Sequence, residues 1–319
     1  MSDHLHTSNE RQRIGDHTLS RGGPDVVAVG GGYGLSTTLR AARLFAGRVT
    51  GVVSVADDGG SSGRLRKAFG IPAPGDLRRC LVALAEPNSV WAEAFEHRFA
   101  ASELEGHPLG NIVLAGLTET LGSFGAAIDE ALHLLGGVGR VFPATVDPVT
   151  LMAQYKRSAG IAGQQISVFG TVEGEVRVGS TLGLTSVAVV PSDPQVPDGA
   201  LSAIRDADVI CIGPGSLFTS VLAVLAVPRI GAAISAAKGR KVYIANLGEQ
   251  HPETTGFDVA MHVDALGAHG VEIDVIVHDP ERVSLGDIGT IRTLAAPLSN
   301  QSGRLHDPVL LADALKRLL

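Results

Sequence analysis

Short β-branched runs that stop at glycine, each followed by apolar residues at helical spacing, constrain this 319-residue chain more than any other feature. Residues 26–29 are continuously apolar and end in a glycine cluster, the pattern of a parallel strand buried on both faces. Leu35, Leu39, Ala42 and the Leu44-Phe45 pair then recur at helical spacing. Strand-like runs over 49–56, 208–212, 242–245 and 273–277 alternate with helical stretches over 77–84, 90–99, 111–121, 126–135, 217–225, 257–266 and 308–319. This alternation predicts an α/β fold with a mostly parallel sheet and helices on both faces. Runs at 141–145, 167–171, 175–178 and 186–190 lie between turn residues and predict a small β segment inserted near 140–195. No linker divides the chain. Residues 24–319 therefore read as a single domain behind a polar, aperiodic tail, 1–23, expected to be disordered.

Composition excludes several classes of function. Acidic residues outnumber basic ones, 33 to 26, and aromatics reach only 4%, so neither a phosphate-tracking surface nor a base-stacking groove for nucleic acid is expected. Cys80 and Cys211 are too few for a disulfide framework or a zinc cluster, which fits a reducing cytoplasm. The tail has no apolar signal segment, and a His4/His6 pair within it is weak evidence for a metal. Residues 209–228 are uncharged for a membrane-spanning length, but Gly213-Pro214-Gly215 cuts the stretch into a strand, a turn and a helix. No membrane span is expected. The residues leave the oligomeric state open, a homo-oligomer included.

With 40 glycines, far above the average of about 7%, the loops carry the chemistry. In α/β sheets ligands bind beyond the carboxyl ends of the strands. The first loop, Gly30, Gly31, Gly32, Tyr33 and Gly34, follows a strand and opens a helix, so its amides suit a phosphate. It matches neither the dinucleotide G-x-G-x-x-G nor a Walker loop. The second contains Asp57, Asp58, Gly59, Gly60, Ser61, Ser62 and Arg64. Its carboxylates can accept from a ribose or hold Mg²⁺, its small residues form a second anion cradle, and Arg64 adds a cation. The third holds Gly75, Asp76 and Arg78, where Asp76 suits a helix N-cap as well as a ligand. The fourth offers His107, Gly110 and Asn111, with His107 the best-placed histidine for proton transfer. The fifth, Gly213, Pro214, Gly215, Ser216, Thr219 and Ser220, repeats the logic of the first, and a weaker sixth runs from Asn246 to Gly256.

These motifs together, GGGYGL, VADDGGSSGRLR, PAPGDLRRCLVALA, EGHPLGN, ADVICIGPGSLFTSVL and NLGEQHPETTGF, resemble the CofD/YvcK-like family, in its YvcK branch, whose members are labelled gluconeogenesis factors. The resemblance implies a Rossmann-like fold. It further implies binding of a nucleotide sugar of the UDP-N-acetylglucosamine type, or of a dinucleotide. The physiological role it implies is in cell shape and envelope precursor supply during gluconeogenic growth, through a protein partner in carbon or cell-wall metabolism. The implied ligand residues are those of the five loops, with Gly110-Asn111 alone from the fourth, together with Asn246, Glu253-Thr254 and Phe257. Three positions depart from the family: Tyr33 stands where threonine is usual, Phe257 where tyrosine is common, and Arg304 one place early before His306-Asp307.

Three functions compete. A regulator that binds a nucleotide sugar, without catalysis, leads. An Mg²⁺-dependent transferase, as in phospholactate relatives, would use Asp57 or Asp58 as metal ligands. A serine hydrolase would use Gly59–Gly63 as a G-x-S-x-G motif, but the adjacent carboxylates of Asp57 and Asp58 oppose an oxyanion there.

Overall fold

The computed structural model describes residues 19–161 and 164–319. His4 and His6 fall outside them, as does most of the expected tail. Leu19 packs on the core, and the Ser20 amide donates to Ala46 O at 2.9 Å, so the described fold begins ahead of residue 24.

The strands, in chain order, are β1 (Asp25–Gly30), β2 (Arg48–Val53), β3 (Arg140–Pro143), β4 (Thr150–Ile161), β5 (Gln164–Glu173), β6 (Leu184–Val190), β7 (Val209–Ile212), β8 (Arg240–Ile244), β9 (Val275–His278) and β10 (Arg292–Ala295). Seven of them form one sheet in the order β10-β9-β8-β7-β1-β2-β3, and every pairing in it is parallel. Val26–Val29 and Val209–Ile212 are buried throughout, as strands covered on both faces require. The N-terminal helices are α1 (Gly32–Ala42), α2 (Gly60–Phe69), α3 (Gly75–Leu84), α4 (Val90–Glu96), α5 (Leu109–Leu121) and α6 (Phe124–Leu134). Leu35 and Leu39 of α1 are fully buried; a side chain at Gly51 would stand 3.2 Å from Leu39, so a bare strand position admits the helix closely.

The other three strands form an antiparallel sheet in the order β5-β4-β6. It is the expected insertion, but smaller. Residues 140–143 belong to the main sheet, where β3 pairs with β2. Residues 175–178 are not a strand but part of α7 (Glu175–Gly179). The remaining elements are α8 (Asp198–Asp206), a π-turn (Leu217–Val221) running into α9 (Leu222–Leu225), α10 (Pro228–Ala236), α11 (Val259–Ala268) and α12 (Pro308–Lys316). The apolar stretch around residue 220 is largely buried. Among the described residues no single helix is long and apolar enough to cross a membrane, and Leu217–Leu225 with Pro228–Ala236 qualify only as a pair bent by 78°.

Candidate functional site

From β1 the chain steps to β2 and β3 on one side, whereas β7 leads to β8, β9 and β10 on the other. The crevice between β1 and β7 is thus the switch point where open parallel sheets hold ligands. A cleft of about 540 Å³ opens there, lined by Gly31–Gly34, Pro214–Ser216, Ser220, Asn246–Gln250 and Gly303–His306, with Thr37. The first, fifth and sixth glycine loops therefore converge. A C-terminal turn carrying Arg304 completes the wall.

The first loop leaves backbone amides open at this cleft. No side chain caps α1, and the Tyr33 and Gly34 amides have no acceptor among the described residues. The Gly32 amide donates to Asp76, which also accepts from Arg79 at 2.6 Å. Across the cleft, side chains hold the Gly215, Phe218 and Thr219 amides of the fifth loop. Asn246 clamps Gly215, accepting its amide at 2.8 Å and donating to its carbonyl at 2.9 Å. Glu253, 5% exposed, accepts from the Phe218 and Thr219 amides at 2.5 and 3.2 Å, from the Thr219 hydroxyl at 3.3 Å, and from Ser216. The expected second anion site at this helix start already holds the protein's own carboxylate. Thr219 consequently faces Glu253, while the Ser220 hydroxyl lines the cleft.

Several expected site residues lie behind the cleft and hold its loops. Gly30 ends β1 and Gly213 follows β7, both below the cleft floor. Asp58 accepts from the Glu175 and Val176 amides at 3.1 and 3.0 Å, so it anchors the start of α7. Asp57 accepts from the Gly59 amide at 2.9 Å. No group of three His, Cys, Asp or Glu among the described residues could hold a metal ion. Of the pair expected to hold Mg²⁺, Asp58 uses both oxygens on backbone amides and Asp57 uses one, and no chemistry is derived through a metal there. Gly59 precedes α2 and Gly60 begins it, with Ser61, Ser62 and Arg64 inside this helix rather than in a loop. Ser61 is buried against His107 Nδ1 at 2.8 Å and accepts from Asn111 Nδ2 at 3.1 Å. Burial, then Arg64 and Arg98, lowers the His107 pKa; neither Ser61 nor His107 lines the cleft. Arg64 donates to Glu105 O at 2.8 Å.

Gly75 packs on Ser62 and near Asp57, and Gly110 on Phe95 and Arg78, positions where a Cβ would collide. Asp76 is not an N-cap; it lies inside the first turn of α3 and reaches the first loop. Arg78 is buried under α4 on Glu96 at 2.7 Å. Its neighbour Arg79 is the arginine that approaches the cleft, lying 4.7 Å from the centre of the Tyr33 ring. Phe257 is partly buried against the core, edge-on to Phe218 and His262 at 6.3 and 5.6 Å, and does not line the cleft. Thr37 and Leu247–Gln250 line the cleft without any motif having singled out their side chains.

The carboxylates under the loops set a pH dependence. Burial, then Asp57, Asp58, Asp76 and Glu253, pushes Glu175 up to about 7. Its folded value lies above its unfolded one of 4.5, so between these limits the fold holds a proton that the open chain has released. Stability from this group falls as pH rises through that window. Glu175→Gln is expected to stabilise the protein at pH 8 and to flatten the change between pH 5 and 8, measured as urea midpoints. Parallel profiles for the two proteins would refute this.

The chain is similar to known proteins over most of its length. The CofD family profile, described as 2-phospho-L-lactate transferase CofD, matches residues 26–292. A Mycobacterium tuberculosis protein named "Putative gluconeogenesis factor" is 40% identical over 309 residues, covering 91% of this chain and 89% of its own. A Halalkalibacterium halodurans protein named "Gluconeogenesis factor" is 42% identical over 258 residues, covering 80% of this chain and 77% of its own. The crystal structure of a UPF0052-family protein from Bacillus halodurans matches with a TM-score of 0.84 at 36% identity, over 92% of this chain and 99% of that one. Since the profile runs from β1 to the start of β10 and takes in every loop around the cleft except the C-terminal turn, this chain belongs to the CofD/YvcK-like family.

Proposed function

We propose that the protein binds a nucleotide sugar of the UDP-N-acetylglucosamine type in the cleft between β1 and β7, and acts as a regulatory factor of the gluconeogenesis-factor kind. The observation that carries this reading is the uncapped start of α1, whose Tyr33 and Gly34 amides open on the switch-point cleft beside the Ser220 hydroxyl and Arg304. Those groups suit a diphosphate: oriented N–H donors, a positive helix end and one exposed cation. The names of the relatives support a role in carbon metabolism. In this reading the protein works in the cytoplasm, and a partner in carbon or cell-wall metabolism reads whether the cleft is filled. That requires the ligand to favour one of two conformations.

Calorimetry with UDP-N-acetylglucosamine tests the proposal. Saturable heat is expected, and Gly32→Val is expected to weaken binding at least about tenfold, or ~1.4 kcal/mol. Gly32 has a φ of +62°, which a branched side chain adopts only with strain, and its neighbours' amides would be displaced. Absence of heat at ligand concentrations on the order of 1 mM, where ~4 kcal/mol of binding would already register, would remove the proposal. The family profile's description favours a second reading, a transferase acting on a nucleotide diphosphate donor. Mg²⁺-dependent consumption of such a donor by the purified protein would select it over a purely regulatory role.

A further inference from the structure

A second cavity, about 480 Å³, adjoins the cleft and shares Tyr33, Thr37, Leu305 and His306 with it. We infer that this cavity receives the nucleobase of the ligand, stacked on the outer face of the Tyr33 ring, while the diphosphate lies in the cleft. The inference rests on the nucleotide reading above and adds to it where the base goes and which residue selects for one.

Three observations converge on Tyr33. Its side chain is 64% exposed at the seam between the two cavities, in a chain with few aromatics to spare. Its inner face is already occupied by the Arg79 guanidinium, 4.7 Å from the ring centre. Arg79 is itself tied to Asp76, which accepts the Gly32 amide. The ring is therefore braced from behind by the network that shapes the phosphate loop, leaving one open planar face. An aromatic face presented in this way holds a flat heterocycle without regard to its hydrogen-bonding edge.

The cavity walls mix charges of both signs with apolar and neutral polar groups. Glu86, Glu93 and Glu96 line it, and the Arg43 guanidinium is committed to Ala83 O and Ala85 O at 2.8 and 3.0 Å. Arg40 is a second cation there, and Glu96 is paired with Arg78 at 2.7 Å. Val82, Ala83 and Ala92 give apolar walls, and Asn88, Ser89 and Asn300 supply amide and hydroxyl groups of both polarities. A neutral planar ring with polar edges fits such a lining.

The test compares UDP with inorganic pyrophosphate, each titrated calorimetrically into the wild type, Tyr33→Ala, Tyr33→Phe and Ala92→Trp. Wild type is expected to bind UDP more tightly than pyrophosphate. Tyr33→Ala is expected to lose about tenfold in UDP affinity while pyrophosphate affinity stays within about twofold. Tyr33→Phe keeps the platform and is expected to bind UDP like wild type. Ala92→Trp, which fills the cavity, is expected to weaken UDP alone. Retained pyrophosphate binding also shows that each variant is folded. Unchanged UDP affinity in both Tyr33→Ala and Ala92→Trp, or equal losses for the two probes, would overturn the base site. Wild type binding pyrophosphate and UDP equally well would also overturn it and leave the phosphate cleft standing. Wild type binding neither would end the nucleotide reading and this inference together.

Discussion

Glu253→Ala is expected to destabilise the protein by about 4 kcal/mol, since it strands several buried donors at once. The Phe218 and Thr219 amides and the Thr219 and Ser216 hydroxyls all converge on this carboxylate, which lies 5% exposed beneath the cleft. Burial raises its pKa while these hydrogen bonds pull the other way, and the net shift is upward. The start of the π-turn has no cap of its own: Ser216 precedes it without a side-chain capping bond to its amides. Glu253 therefore does from a distant loop what a local cap does elsewhere. Glu253→Gln keeps one carbonyl acceptor and is expected to recover at least half of the loss. Urea melts of the two variants check the argument. An alanine variant within about 1 kcal/mol of wild type, the net worth of a single ordinary hydrogen bond, would show that water replaces the carboxylate without penalty. The same network decides where a ligand can sit. With the Phe218 and Thr219 amides filled by Glu253, the start of α1 is the helix end that offers a diphosphate its open amides.

Long-range bonds such as this one separate what was legible in the sequence from what was not. The parallel sheet was legible because Val26–Val29 and Val209–Ile212 are apolar without alternation, a pattern that burial on both faces imposes. The first and fifth loops were legible because glycine clusters at strand ends have a local cause. Asp58 was not, because the backbone amides it holds are 117 and 118 residues away. Helix α2 was hidden by Gly-Ser-Ser-Gly at its start, residues whose own preferences favour turns. Arg78 and Arg79 show the limit most plainly. Adjacent helical residues point about 100° apart, so one arginine entered the interior to meet Glu96 and the other came up under Tyr33. Nothing local to the pair fixes which does which. That phase is set by the packing of α3 against its neighbours. Phe257 makes a related point: an aromatic beside a ligand loop serves a core as readily as a ligand, and this one meets Phe218 edge-on at 6.3 Å outside the cleft lining.

Gly34→Ala is expected to damage stability and binding together, and the two losses have one cause. A Cβ at Gly34 would overlap the Pro214 carbonyl oxygen and stand 2.6 Å from its carbon and 3.1 Å from the Gly215 nitrogen. All three are backbone atoms, so no side-chain rotation relieves the clash. The two loops are also stitched together by Thr38, whose hydroxyl is 3.2 Å from Gly34 O and 3.1 Å from Gly213 O. A methyl group must therefore push α1 away from the 213–215 turn, at a cost of about 2–3 kcal/mol. The displaced atoms form both lips of the cleft, and UDP-N-acetylglucosamine affinity is expected to fall by more than about tenfold. Gly32→Ala is the control. A Cβ at Gly32 would meet nothing within 4 Å, but the φ of +62° there makes alanine strained. That costs about 1 kcal/mol without moving the lips apart. Melting and calorimetry on this pair separate loop contact from backbone strain. If Gly34→Ala melts like wild type, the first and fifth loops do not meet, and the cleft between them has lost the contact that shapes it.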